Sequence, residues 1–172
     1  MFVGREVSLD LGFGVARARL AGLAAGDWLG EVSGEAFAEG YAHLAHLGPP
    51  GDTGERPDLA RVRFLPPQPH DQIMIVPLRW EVAERTGGLL PVLDADIVLI
   101  PDGECTRLAV SGSYRPPVQW FGAAAGHPVT GQVAAATFTA LLHKIATQVC
   151  LEEQPAGQRR PGSPPGDGDG SR

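Results

Sequence analysis

Hydrophobic and polar residues alternate through the middle of the chain, and this alternation predicts three consecutive antiparallel strands. The strands cover residues 72–84, 89–100 and 105–115. Short glycine-containing links at 85–88 and 101–104 join them, and such residues tolerate the dihedral angles of tight turns. The pattern therefore predicts two hairpins that form one continuous meander.

If each hairpin is centred on its turn, the side chains of the meander sort into an apolar and a polar face. This register pairs Trp80 with Leu93 and Leu93 with Gly112, and on the polar face it places Arg79 beside Asp94. A slip by one residue would mix the two faces. The apolar face collects Met74, Val76, Leu78, Trp80, Val82, Leu93, Ala95, Ile97, Leu99, Leu108, Val110, Gly112 and Tyr114.

Periodicity on either side of the meander predicts further strands and helices. Residues 2–11 and 59–65 alternate as half-buried strands, and the Ala-rich segment 15–24 favours a helix. Both helix and strand patterns fit residues 36–47, where alternation favours a strand on balance. Residues 129–151 form the strongest helical pattern. Its apolar stripe consists of Ala135, Phe138, Leu142, Ile145 and Val149.

Length and composition limit the class of protein. With 172 residues the chain suits one domain, assigned to residues 1–151, and the Pro/Gly-rich residues 152–172 predict a disordered tail. A net charge of -6 argues against nucleic-acid binding. The sequence shows neither a signal-peptide pattern nor an apolar run of the ~18 residues that a membrane span needs. We therefore expect a cytoplasmic protein without a membrane span.

Residue usage adds two expectations about the source and the thiols. Lys144 is the single lysine beside thirteen arginines, and asparagine is absent, as is typical of a GC-rich bacterial genome. Cys105 and Cys150 are too few for a disulfide framework and lack metal-ligand spacing, so we expect buried free thiols.

Several short segments of the sequence carry a family resemblance. They are residues 78–81 (LRWE), 91–96 (PVLDAD), 111–117 (SGSYRPP) and 141–146 (LLHKIA). Together with the order of strand, short helix, antiparallel meander and long C-terminal helix, they resemble the START/Bet v 1-like (SRPBCC) superfamily, in particular bacterial polyketide cyclase and lipid-transport-like proteins. The resemblance implies an α+β helix-grip fold, in which a curved antiparallel β-sheet wraps around the long C-terminal helix.

The resemblance also implies that a small hydrophobic ligand, a lipid or a polyketide-like molecule, occupies a cavity between sheet and helix. No catalytic motif comes with the superfamily, and fold alone does not fix function. The apolar face can equally be a filled core. The candidate ligand-binding residues are Met74, Leu78, Trp80, Leu93, Tyr114, Phe138, Leu142 and His143.

Two other classes of function stay open. The first is an aromatase or cyclase acting on a polyketide-like substrate, with protons moved by Tyr114, His143 or Arg115, although no catalytic constellation is visible. The second is an interaction protein with a filled core. Its partner would bind an aliphatic patch on the polar face, which would serve as a homodimer contact or be covered by residues 48–58. The patch consists of Ile73, Ile75, Val98 and Ile100.

Other possible sites have simpler explanations. Asp94 and Asp96 point to the same face as acid and base would, but arginines on that face would hold them ionised in surface ion pairs. His43 and His46 lack a third metal ligand at usable spacing. The glycines near residue 12 lack the rest of a phosphate-binding or dinucleotide fingerprint. We therefore expect neither metal nor cofactor.

Overall fold

The computed structural model of the chain describes residues 1–45, 59–66, 68–70, 72–83, 89–115 and 127–151. The order of its elements is β1 (Phe2–Leu9), α1 (Phe13–Ala25), α2 (Trp28–Ala45), β2 (Leu59–Phe64), β3 (Gln68–His70), β4 (Ile73–Ala83), β5 (Leu89–Asp102), β6 (Cys105–Tyr114) and α3 (His127–Cys150). The predicted tail at 152–172 lies outside the described residues. The fold class is α+β, as predicted.

The six strands of the described residues form one antiparallel sheet in the order β1-β6-β5-β4-β2, with the short β3 also paired to β4. The predicted meander supplies the centre as β4, β5 and β6. The first strand joins this sheet at β6, where Val3 lies opposite Gly112 and Val7 opposite Leu108. The predicted strand at 59–65 is present as β2 and pairs with β4, with Val62 opposite Trp80.

The register of the meander is confirmed in its first hairpin and corrected in its second. Trp80 lies opposite Leu93, and Arg79 lies opposite Asp94. Leu93, however, lies opposite Tyr114 and not Gly112, because the tight turn contains Gly103 and Glu104, with Gly103 at φ +65°. This shifts the pairing by two residues. Because the side-chain period is also two, both faces of the meander keep their predicted members.

The prediction of a strand at residues 36–47 is wrong, because α2 covers that segment as far as Ala45. Residues 28–34, whose glycines suggest a connection between elements, also belong to α2. One side of α2 is buried at Leu29, Val32, Ser33, Ala36, Phe37 and Tyr41, which is the spacing of a helix face. On the surface, Lys144 of α3 lies 2.9 Å from Glu35 and 2.8 Å from Glu39 of α2.

The edge of the sheet beside β4 is interrupted, and a proline stands at the interruption. Leu65 donates its backbone N–H to the carbonyl of Pro77. The backbone nitrogen of Pro77, which carries no hydrogen, points to the same side of β4, toward the gap between β2 and β3. A proline in a strand costs least where no ladder hydrogen bond is required. Residues 68–70 belong to a proline-rich stretch whose sequence suggests a turn, but they form β3 on the far side of this gap.

The helices cover the apolar face of the sheet. The long helix α3 contacts β1 and β6, α1 contacts β5 and β6, and α2 contacts α3 and β2. The segment Gly131–Cys150 is long and apolar enough to cross a membrane, with mean hydropathy 1.2, but half of it is buried inside the protein, as in the core helix of a soluble protein. The structure is compatible with a soluble protein.

Candidate functional site

Seven of the eight predicted ligand-binding residues lie together in the buried core between the sheet and the helices. Each of these seven side chains is at most 3% exposed. The strands place five of them on one face, because successive side chains alternate across a strand, and α3 supplies the other two from one stripe. The seven are Met74, Leu78, Trp80, Leu93, Tyr114, Phe138 and Leu142.

Trp80 is covered by helix α2. Its indole ring meets the ring of Phe37 edge to face, with the centroids 6.1 Å apart and the planes at 87°. The next turn of α2 brings Tyr41 to 6.4 Å from Phe37. The indole therefore contacts an aromatic pair, through Phe37, in the segment for which both helix and strand patterns fit the sequence.

The indole N–H of Trp80 is a buried donor without an acceptor. The side chain is 0% exposed, and Nε1 has no hydrogen-bond partner. Ser33, which lies one turn before Phe37 on α2, is also 0% exposed, and its hydroxyl has no partner. Buried polar groups in proteins are almost always paired, and an unpaired one costs about 1–3 kcal/mol. Two such groups thus lie on elements that pack against each other in this core.

A second group of polar side chains lies between β6, α2 and α3. Tyr114 meets Phe138 edge to face, with ring centroids 6.4 Å apart, and its hydroxyl is hydrogen-bonded to the hydroxyl of Thr137. Thr137 donates its own hydroxyl proton to the carbonyl of Val133 at 2.9 Å. Burial raises the pKa of Tyr114 well above its ordinary value, and it also raises the pKa of Tyr41. At neutral pH Tyr114 is therefore a neutral phenol that can hydrogen-bond but is a poor proton acceptor.

The structure does not bring the other predicted polar groups to this core. His143 is exposed on α3, and Arg115 is exposed just after β6. His46 lies outside the described residues, and the side chain of His43 is not described. The three groups named for a cyclase mechanism, Tyr114, His143 and Arg115, are thus divided between the interior and the surface.

The opposite face of the sheet carries a groove of about 490 Å³. Asp94 and Asp96 line it and are exposed, as the sequence predicted. At its margins Phe2 is 77% and Leu65 is 56% exposed. The groove crosses four neighbouring strands, so it is lined by residues that are far apart in the sequence. Its lining is completed by Pro77, Leu78, Arg79, Ala95, Ser111, Gly112 and Ser113.

Arginine side chains lie close to two acidic groups on this face of the sheet, Asp94 and Glu81. Arg79 lies 3.3 Å from Asp94 and 3.7 Å from Glu81, which Arg61 and Arg63 also approach at 3.7 and 3.8 Å. The cross-strand ion pair of Arg79 with Asp94 is confirmed. Because both partners are about half exposed, the pair is worth at most ~1 kcal/mol.

The aliphatic patch predicted on this face exists as four half-buried side chains. Ile73 and Ile75 of β4 border β3, and Val98 lies opposite Ile75. Residues 48–58, the alternative cover for this patch, lie outside the described residues. The homodimer through the patch stays a prediction.

The two cysteines are free, as predicted, but they are less buried than predicted. Cys105 is half-buried, with its Sγ atom 4.0 Å from a carboxylate oxygen of Asp10, and Cys150 is exposed at the end of α3. Cys150 is exposed because it lies on the solvent side of α3, one residue after the buried Val149.

Comparisons with known proteins identify no family for this chain. No protein-family model matches the chain, and no curated protein matches it. Among solved structures, the chain is similar to TTHA0849 from Thermus thermophilus, with 11% sequence identity and a TM-score of 0.36, over 87% of this chain and 97% of that chain. A TM-score this low carries no argument about family or function.

Proposed function

We propose that this protein is a helix-grip protein of the START/Bet v 1-like type that binds a small hydrophobic ligand, such as a lipid or a polyketide-like molecule. The ligand would lie between the sheet and helices α2 and α3, against Trp80. The order of elements supports this fold: a strand, two helices, an antiparallel meander and a long C-terminal helix. The segments that resemble the superfamily lie, as far as the structure describes them, on β4, on β5, at the end of β6 and on α3.

The observation that carries the proposal is the unpaired indole N–H of Trp80 in an otherwise apolar core. Ligand pockets are mostly apolar and contain a few placed polar groups that orient the ligand. An oxygen atom of a bound molecule would accept this hydrogen bond and remove the cost of leaving the donor unpaired. Because Trp80 is fully enclosed, binding must displace a neighbouring side chain, and Phe37 on α2 is the one in direct ring contact.

We assign this role to the cytoplasm. Cys105 and Cys150 are both free, and unpaired cysteines fit a reducing compartment. A ligand carrier in that compartment needs neither of the thiols for stability. The assignment extends the finding that the structure is compatible with a soluble protein.

Quenching of Trp80 by a brominated hydrocarbon tests the proposal. Trp28→Phe and Trp120→Phe together leave Trp80 as the sole tryptophan. Titration with bromodecane should quench its emission in a saturable way at one equivalent, because the heavy atom must come into contact with the indole. The matched control adds Asp96→Ala, which alters only the outer groove and should leave the quenching curve unchanged. Absent or unsaturable quenching would refute the proposal.

A second candidate function is interaction with another protein through the outer groove. The observation in its favour is the exposure of Phe2 and Leu65 at the margins of the groove, since large apolar side chains at a concave surface are typical of contact sites. This function needs no ligand in the core. In the titration above it predicts that the emission of Trp80 stays unquenched at every bromodecane concentration.

A further inference from the structure

The polar groups of the core restrict the chemistry of a ligand that binds there. Trp80 Nε1–H is a donor only, and the hydroxyl of Ser33 can donate or accept. In the part of the chain that the structure describes, the other buried side chains with hydrogen-bonding groups include Thr106, Thr137 and Tyr114, and none of them carries a charge at neutral pH. The site therefore offers neutral hydrogen-bond groups and no counter-charge.

The hydroxyl of Ser33 belongs to the helix face that covers the indole. Ser33 and Phe37 are one turn apart on α2, and Phe37 is the residue whose ring meets Trp80. An aromatic ring is at best a weak acceptor, so the contact with Phe37 does not replace a conventional hydrogen bond for the indole. Both unpaired groups thus lie where a ligand that displaces Phe37 would come to rest.

An ionised ligand is disfavoured in such a site. A carboxylate or phosphate that leaves water loses its solvation, and the loss is offset only when a cation and further hydrogen bonds replace the water. Arg61, Arg63 and Arg79 lie on the opposite face of the sheet, where they surround Glu81 and Asp94. They are not in a position to neutralise an anion in the core.

We infer that the ligand is a neutral molecule with an apolar body and a carbonyl oxygen, as in a ketone or an ester, and that this oxygen accepts a hydrogen bond from Trp80 Nε1. This inference rests on the proposed function and narrows it to a substrate class. It sets free fatty acids apart from their neutral derivatives. The ester differs from a free fatty acid because it lacks the charge that this core cannot neutralise. It differs from a hydrocarbon because it accepts the hydrogen bond of Trp80 Nε1.

Three ligands of matched chain length test the inference: methyl laurate, laurate and dodecane. Affinities are obtained for the full chain at neutral pH from the rise of the urea midpoint with ligand concentration. Methyl laurate should bind about tenfold more tightly than dodecane, as one net hydrogen bond provides. Laurate should bind more weakly than its ester.

The variant Trp80→Phe keeps an aromatic ring and removes the donor. It should retain dodecane binding and lose most of the tenfold advantage of methyl laurate. Trp28→Phe, the same substitution at a half-buried position on α2, should keep the advantage. Should Trp80→Phe fail to fold, the ligand ranking in the wild-type chain decides alone.

The outcomes separate the two proposals. If none of the three ligands raises the urea midpoint, both the proposed function and the inference fail. If the ligands bind but laurate binds as tightly as its ester, or if Trp80→Phe keeps the advantage of the ester, the binding function stands and the inference is overturned.

Discussion

At the scale of single residues, Gly112 is the position where the sheet tolerates no side chain. It lies on the apolar face opposite Ala95, and a Cβ at this position would overlap the carbonyl oxygen of Asp94 and both the Cα and Cβ of Ala95. Backbone atoms cannot move aside as a flexible side chain can. Gly112 therefore permits the close approach of β5 and β6 that underlies both the core and the outer groove.

Gly112→Ala should lower the free energy of unfolding by about 1–3 kcal/mol, which is typical of overpacking in a well-packed core. Urea denaturation measures it as a lower midpoint at unchanged slope. The matched control is Gly22→Ala in α1, where the glycine is exposed and a Cβ would meet nothing within 4 Å. That variant should gain about 0.5–1 kcal/mol from helix propensity. Equal midpoints for the two variants would contradict the predicted clash.

At the scale of elements, the contact between α2 and α3 depends on Gly40. A Cβ at Gly40 would overlap the hydroxyl of Thr137, and it would come within 2.9 Å of the Cβ of Thr137 and 3.2 Å of its Cα. Small residues allow helices to approach closely, and Lys144 reinforces the pair from the surface through Glu35 and Glu39. The close contact of Gly40 with Thr137 therefore fixes the position of α2, and with it the position of Phe37 over Trp80.

Gly40→Ala should therefore separate the two helices and lower the free energy of unfolding by about 1–3 kcal/mol. Gly34→Ala, in the same helix and with no atom within 4 Å of the added Cβ, should raise it by up to about 1 kcal/mol. Thermal unfolding followed by circular dichroism distinguishes them, with midpoints that move in opposite directions. A Gly40→Ala midpoint at or above the wild-type value would exclude the tight contact.

Strands of this protein could be predicted from its sequence because their period is short and their faces are chemically distinct. The meander keeps its faces even though the pairing of β5 with β6 is displaced by two residues, since a shift by a whole period moves no side chain to the other face. Helix α2 could not be recognised in the same way. Its residues 41–45 alternate in sequence as a strand would, and tertiary burial of the helix face at Phe37 and Tyr41 outweighs this local pattern.

The residues of the candidate site could be predicted only where the element that carries them could be predicted. Alternation and the stripe of α3 identified seven side chains that lie together, from Met74 to Leu142. They did not identify Phe37 or Ser33, although the spacing of Val32, Ser33, Ala36 and Phe37 is a helical signal. The unpaired state of Trp80 Nε1 is a property of the assembled core, because only tertiary packing decides whether an acceptor comes within reach.

At the scale of the whole molecule, the sheet and two helices meet at one tyrosine. Tyr114 ends the meander on β6, packs on Phe138 of α3 and hydrogen-bonds to Thr137, and Tyr41 of α2 acts on its ionisation. The backbone of Tyr114 also receives the chain terminus, since its N–H donates to the carbonyl of Met1. Ionisation of this phenol would place a charge where these elements join.

The stability of the protein should consequently fall in alkaline solution. Burial, the largest cause, raises the pKa of Tyr114 in the folded chain above its ordinary value of 10.0, so the folded state holds its proton more tightly than the unfolded state does. Below about pH 10 the group has no effect on the pH dependence. Above it, the free energy of unfolding should decrease by up to about 1.4 kcal/mol per pH unit until the folded phenol also ionises.

Urea midpoints measured between about pH 8 and about pH 11 test this sign and its origin. Tyr114→Phe should be less stable than the wild-type chain at neutral pH, because Thr137 loses a hydrogen-bond partner, and should show a shallower alkaline decline. Tyr41→Phe is the matched control: burial also raises the pKa of Tyr41, but Tyr41 is 8% exposed where Tyr114 is 1% exposed, so its removal should flatten the decline less. If Tyr114→Phe declines as steeply as the wild-type chain, the ionisation that limits alkaline stability lies elsewhere.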